Sequence, residues 1–161
     1  DKNALFMLTL ARHSRIEWAR IRGQLADSVD PRATIEGLFT QTIDQLLSEE
    51  LPYGSLTLRA AVELGLNKPP VAAFLSAYLD ELTALFTGFL DHAVLQGRFT
   101  LADPSPDVAR YLLLALFNLS ALAQIHPDRG ALERYARVVL RVLDGAASRA
   151  PAAIASVPAG S

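Results

Sequence analysis

The stretch Asp107 to Ile125, DVARYLLLALFNLSALAQI, constrains this chain more than any other. Wound at about 100° per residue, its polar side chains Arg110, Asn118, Ser120 and Gln124 fall within less than half of the circumference. Leu113, Leu114, Phe117 and Ala121 lie among them, and the opposite side is made of Leu112, Ala115, Leu116, Leu119, Leu122 and Ala123. An ordinary surface helix shows one apolar stripe, whereas a helix apolar nearly all round is buried on more than one side. The stretch reads as too short and too interrupted for a bilayer span, which takes ~20 predominantly apolar residues. The expectation is a central helix, with partners from its own chain on one flank and a second subunit on the other.

A chain of 161 residues is one domain by length. Its apolar share, 51% against 20% charged, exceeds that of a typical soluble domain and must cover an interface, a cavity or both. Fifteen basic residues against 17 acidic give a net charge of −2, so the chain lacks the concentrated basic surface that sequence-independent DNA binding needs. There is no cysteine, which excludes disulfides and thiolate chemistry. The opening DKNALF lacks the basic-then-apolar layout of a signal peptide, and the reading is a cytoplasmic protein with no membrane role.

Residues 2–27 contain no proline and read as one long helix capped by Asp1; its start at full stride leads us to expect a preceding segment. Asp30-Pro31 begins a second helix over 31–47, with Ile35, Leu38, Phe39, Thr42, Ile43 and Leu46 on one face. Proline and glycine in Leu51-Pro52-Tyr53-Gly54 break the chain before a short helix over 55–66. A fourth helix spans 70–96, a fifth 107–125 and a sixth 129–144, with Glu133 and Arg137 spaced as an i, i+4 pair. Residues 1–147 thus form one domain and 148–161 a flexible Ala/Pro/Ser tail. The fold class is all-α, a six-helix bundle with antiparallel neighbours.

No motif for catalysis is present: no HExxH, no paired Glu-x-x-His, no phosphate-cradling glycine loop and no GxSxG, so the chain reads as a non-enzyme with no cofactor and no metal site. His13 and Glu17 share one helix face, and two ligands do not make a metal site. His126 reads as an exposed loop residue. His92 falls at the rim of an apolar face, as a core-edge histidine or a ligand contact. Arg59 and Glu63 read as a surface ion pair. Asn118, inside the most apolar helix, needs a partner in the core, across a dimer axis or on a ligand. Arg12, Arg15, Arg20 and Arg22 spread around the first helix and read as a solvated surface. The rings of Trp18, Phe39, Phe74, Tyr78, Phe86, Phe89 and Phe117 come from four helices, as close-packed core or as the lining of an interhelical pocket.

The order of elements resembles the C-terminal ligand-binding and dimerisation domain of TetR-family transcriptional regulators. Asp1-Lys2-Asn3-Ala4-Leu5-Phe6 is similar to the family's lysine-x-x-leucine entry to the helix that follows its DNA-binding module. Gly54, Ala61-Val62-Glu63-Leu64 and Pro70-Val71 resemble the short helix and the start of the long one in many members, and the resemblance runs over residues 1 to 145. It implies that a small apolar or amphipathic effector enters among Trp18, Phe39, Leu58, Val62, Phe74 and Tyr78, with Phe86, His92, Phe117 and Asn118 completing the site. It implies a homodimer through the last two helices, at Leu112, Leu116, Leu119 and Ala123 on one and Tyr135, Val139, Leu140 and Leu143 on the other. Operator DNA, by the same resemblance, is bound only through an N-terminal helix-turn-helix that these residues do not include. A helical carrier of an apolar small molecule is the alternative; an enzyme built on a helical bundle is a third class, against which stands the absence of any convergent set of acids, bases and ligands, and a plain dimerisation module with a filled core is a fourth.

Overall fold

The computed structural model describes residues 1–48 and 68–145. The Asp1 carboxylate accepts the Asn3 N–H at 3.0 Å and opens α1, Lys2–Ala26. Asp30 accepts from the N–H groups of Arg32 and Ala33 at 3.0 and 3.2 Å and opens α2, Pro31–Leu47, whose first position needs no donor and is proline. Helix α3, Pro69–Leu95, also has proline in its first turn and stops just before Gly97, which turns the chain at φ 70°. Helix α4 is Ser105–Ile125, and α5 is Arg129–Val139, capped by the Asp128 carboxylate on the Ala131 N–H at 2.8 Å. Among the described residues all regular structure is helical. The helix expected over 55–66 and the tail 148–161 lie outside the described residues, and with them Leu58, Val62, Arg59 and Glu63.

The last helix departs from expectation. The α-helix ends at Val139, and Leu140–Asp144 tighten into a 3₁₀ turn. Two contacts account for it. Asp144 is drawn to Arg32 at the start of α2, 2.6 Å away, and Gly145 lies at φ 77° where a Cβ would collide with the Thr100 carbonyl. Glu133 pairs back to Arg129 at 3.6 Å, rather than forward to Arg137.

Helix α4 is the hub. It packs most extensively on α3 and also meets α2 and α5, while α1 lies across α2 and α3. Its buried arc is Val108, Ala109, Leu112, Leu113, Ala115, Leu119, Ser120 and Ala123. The main core unites this arc with Ile35 and Phe39 of α2, Leu82, Phe86 and Leu90 of α3, and Leu132 and Val139 of α5. A second, smaller cluster joins Leu10 of α1 to Val71 of α3, with Phe6, Met7, Phe74 and Leu75 packed around them.

Two sequence readings are corrected by this packing. By length and composition, Pro69–Leu95 and the 21-residue Ser105–Ile125 are both long and apolar enough to cross a membrane, so α4 is not too short for a span. Of the most apolar stretch of each, 44% is buried in α4 and 22% in α3, and the buried side chains belong to the common core. The second correction concerns the interface residues. Leu112, Leu119, Ala123, Val139, Leu140 and Leu143 are buried inside their own chain, and Leu116 and Tyr135 pack half-buried against the same core. The apolar side chains that α4 and α5 turn outward are Tyr111, Leu114, Ile125 and Val138, 46%, 43%, 77% and 58% exposed. The wheel correctly separates two sides of α4; which of them faces the chain depends on where α2, α3 and α5 sit.

Glycine substitutions test the backbone account. Gly88 is inside α3 with open space where a Cβ would go, and Gly88→Ala should stabilise the fold by ~0.5–1 kcal/mol. Gly145→Ala meets both a left-handed φ and the Thr100 carbonyl, and should cost ~1–3 kcal/mol. Urea denaturation of both variants checks the opposite signs.

Candidate functional site

Two cavities flank α1. The first is central, about 200 Å³, and takes its lining from four helices. Helix α1 supplies His13, Ile16, Glu17, Arg20 and Ile21; α2 supplies Leu38, Thr42, Gln45 and Leu46; α3 supplies Leu82; α4 supplies Leu113, Leu116, Phe117 and Ser120. Its wall is apolar on the α3 and α4 sides except for Ser120, and mixed along α1 and α2, where His13, Glu17, Arg20, Thr42 and Gln45 alternate with Ile16, Ile21, Leu38 and Leu46. Arg20 donates to Gln24 at 3.2 Å and to Gln41 at 3.1 Å, and Gln24 donates to Gln41 at 2.6 Å, which fastens α1 to α2 beside the cavity.

The second cavity is a slot of about 360 Å³ on the other flank of α1, between α1 and α3. Ala11, Ser14, Arg15 and Trp18 line it from one helix, and Phe74, Ala77, Tyr78 and Glu81 from the other. The Phe74 and Tyr78 rings stack 6.4 Å apart with 9° between their planes. Arg22 lies 5.2 Å from the centre of the Trp18 ring, a cation–π contact. The Trp18 Nε1 is shut off from solvent and, among the described residues, meets no acceptor, an omission that costs ~1–3 kcal/mol.

The wall between the two cavities carries a hydrogen bond. The Tyr78 hydroxyl, from the slot side, donates to Glu17 of the central cavity at 3.2 Å. Burial holds the Tyr78 phenol well above its ordinary pKa of 10.0; the charge and hydrogen bond of Glu17 add to the rise, and Arg20 opposes it.

The expected ligand residues therefore divide. Trp18, Phe74 and Tyr78 meet at the slot, and Phe117 lines the central cavity. Phe39 and Phe86 have 1% and 0% of their surface exposed and are filled core. His92 is exposed rather than at a core rim, with its ring 2.9 Å from the Gln96 amide. Asn118 is exposed on the outer side of α4, away from both cavities, and so needs no buried partner. His126 is an exposed residue between α4 and α5, as its position before proline suggests. Among the described residues no three His, Cys, Asp or Glu side chains gather as a metal site.

The sequence analysis places Ser120 on the polar side of its helix without assigning it to a site and does not single out Ser14; they are the two polar residues buried in the described core, and both line a cavity. A small hydroxyl inside an apolar helix arc was the available signal. Ala11 and Ala77 left no signal, since a missing side chain opens space only against a particular neighbour.

Comparisons with protein-family models, with curated proteins and with solved structures return no match.

Tyr78 ties stability to alkaline pH. Its folded pKa lies above the unfolded one, so the native state holds this proton more tightly. The contribution is complete below the unfolded value of about 10 and is lost as the pH climbs from there toward the folded value. Tyr78→Phe should cost ~1 kcal/mol at neutral pH and flatten the loss of stability above about pH 10. Denaturant midpoints measured up to about pH 11 would show it, and a slope equal to that of the parent protein would contradict it.

Proposed function

We propose that this chain is the effector-binding and dimerisation domain of a TetR-like transcriptional regulator, acting in the cytoplasm. The observation that carries the reading is the central cavity, where α1 contributes five of the lining residues and meets residues of α2, α3 and α4. A small amphipathic molecule suits it, with an apolar body against Leu82, Leu113, Leu116 and Phe117 and a polar end toward His13, Glu17, Arg20 and Gln45. In the proposal α1 connects this domain to a DNA-binding helix-turn-helix. Effector binding shifts the angle of α1, because the ligand has different affinity for the two arrangements.

The dimer in this proposal forms through the outward face of α4 and α5, centred on Tyr111, Leu114 and Val138, and isologous about a two-fold axis. This revises the residues, not the helices. A regulator whose two half-sites are read together gains its affinity from such a pair.

Sedimentation at low micromolar concentration tests the face. The parent chain should be a dimer and Leu114→Glu/Val138→Glu a folded monomer. Leu112→Glu should instead unfold the chain, since that side chain is completely buried. Leu116→Trp, which fills the central cavity, should abolish effector-induced thermal shifts with little loss of structure. A monomeric parent chain that still binds small apolar molecules would favour the carrier, and one that binds none would end both readings.

A further inference from the structure

We infer that the ligand of the central cavity carries an uncharged oxygen, a hydroxyl or a carbonyl, at its inner end, and that the Ser120 hydroxyl receives it. The inference deepens the proposed function and rests on its reading of this cavity as a ligand site. The cavity has an outer and an inner end. His13, Ile16 and Gln45 are exposed and mark the mouth, between α1 and the end of α2. Leu38, Leu82, Leu113 and Ser120 are buried and make the floor.

Ser120 is the polar side chain of that floor, with 5% of its surface exposed. A helical hydroxyl commonly bonds back to the carbonyl four residues earlier, and Thr42, Thr83 and Thr87 do so at 2.8, 2.7 and 2.7 Å. The Ser120 hydroxyl does not, and among the described residues it makes no hydrogen bond at all. It is not sealed in the packing either, as the Trp18 Nε1 is: its Oγ keeps accessible surface, and the open space beside this buried residue is the cavity it lines. Buried polar groups are ordinarily hydrogen-bonded. Here the room for the missing partner is the room for a ligand.

The surroundings set the partner's charge. A full charge at the floor would need an opposite one beside it. Glu17 and Arg20, half-buried on the α1 wall, have opposite signs and are both engaged. Glu17 accepts from the Tyr78 hydroxyl, and Arg20 donates to Gln24 and Gln41. The floor itself is three leucines and a serine, so the inner end of the ligand is neutral. A serine hydroxyl both donates and accepts, which suits a hydroxyl or a carbonyl. A cavity of about 150 Å³ is enough to hold benzene, so about 200 Å³ takes a single ring with a short substituent.

Toluene, benzyl alcohol and benzylamine are matched probes, alike in ring and differing in the end group. Their affinities for the intact chain and for Ser120→Ala are read by NMR titration at neutral pH. Ser120→Ala should weaken benzyl alcohol about tenfold, as expected for one neutral hydrogen bond made out of water, and change toluene by less than about twofold. Benzylamine, a cation, turns its charge to the mouth, so it should also change by less than about twofold. With no bond in the protein to lose, Ser120→Ala without probe should keep or raise the urea midpoint. Leu116→Trp should block all three probes. An unchanged benzyl alcohol affinity in Ser120→Ala, equal weakening of toluene or benzylamine, a lowered urea midpoint, or undiminished binding in Leu116→Trp would each overturn the inference. Toluene binding that Leu116→Trp blocks, with benzyl alcohol indifferent to Ser120→Ala, would overturn it and leave the ligand site standing, whereas a chain that binds none of the probes would overturn both.

Discussion

Leu112 and Leu119, two turns apart on α4, have no exposed surface, and the helix that carries them is packed by α2, α3 and α5. Each buried leucine contributes ~1.5–3 kcal/mol relative to an exposed one, so this helix alone holds a large share of the driving force for folding. Its position dictates the rest. With three neighbours already around α4, α1 packs on α2 and α3 instead. The gap left between α1 and the Leu113, Leu116 and Phe117 side of α4 is the central cavity. The cavity is thus a by-product of crowding around one helix.

Polar contacts set direction more than strength. Arg129 meets Asp44 at 2.8 Å, Arg110 meets Asp80 at 3.4 Å, and the partners in each pair are about half exposed or more. Pairs of this kind contribute ~0–1 kcal/mol each. They lie at seams between helices, α2 to α5 and α3 to α4, where they distinguish one docking register from its neighbours. Lys68 to Asn3, at 2.9 Å, does the same where α3 begins beside α1.

Helix type and limits were readable from the residues where punctuation is chemical. Asp1, Asp30-Pro31, Gly97 and Asp128 sit where caps and stops are required, and the helices begin or end within a residue or two of them. The site was readable only in part. Periodicity finds an apolar arc but does not say whether another element of the same chain covers it, which is why Leu112 and Leu140 were read outward. It also does not separate a ring that fills space, such as Phe86, from one that borders it, such as Phe74. That difference rests on alanines two helices apart, and no local pattern carries it.

The division of α1 between two apolar clusters has a consequence for motion. Ile21 and Leu25, near its end, belong to the main core, while Leu10 belongs to the small cluster with Val71. Leu5 and Leu8 between these anchors and the amino end are 67% and 69% exposed. The first turns of the helix are therefore held by few buried side chains. Their amide protons should exchange through a local opening that leaves the main core closed, at a free energy well below that of global unfolding. Among the described residues, it is the amino end of α1 that can open in this way while the main core stays packed.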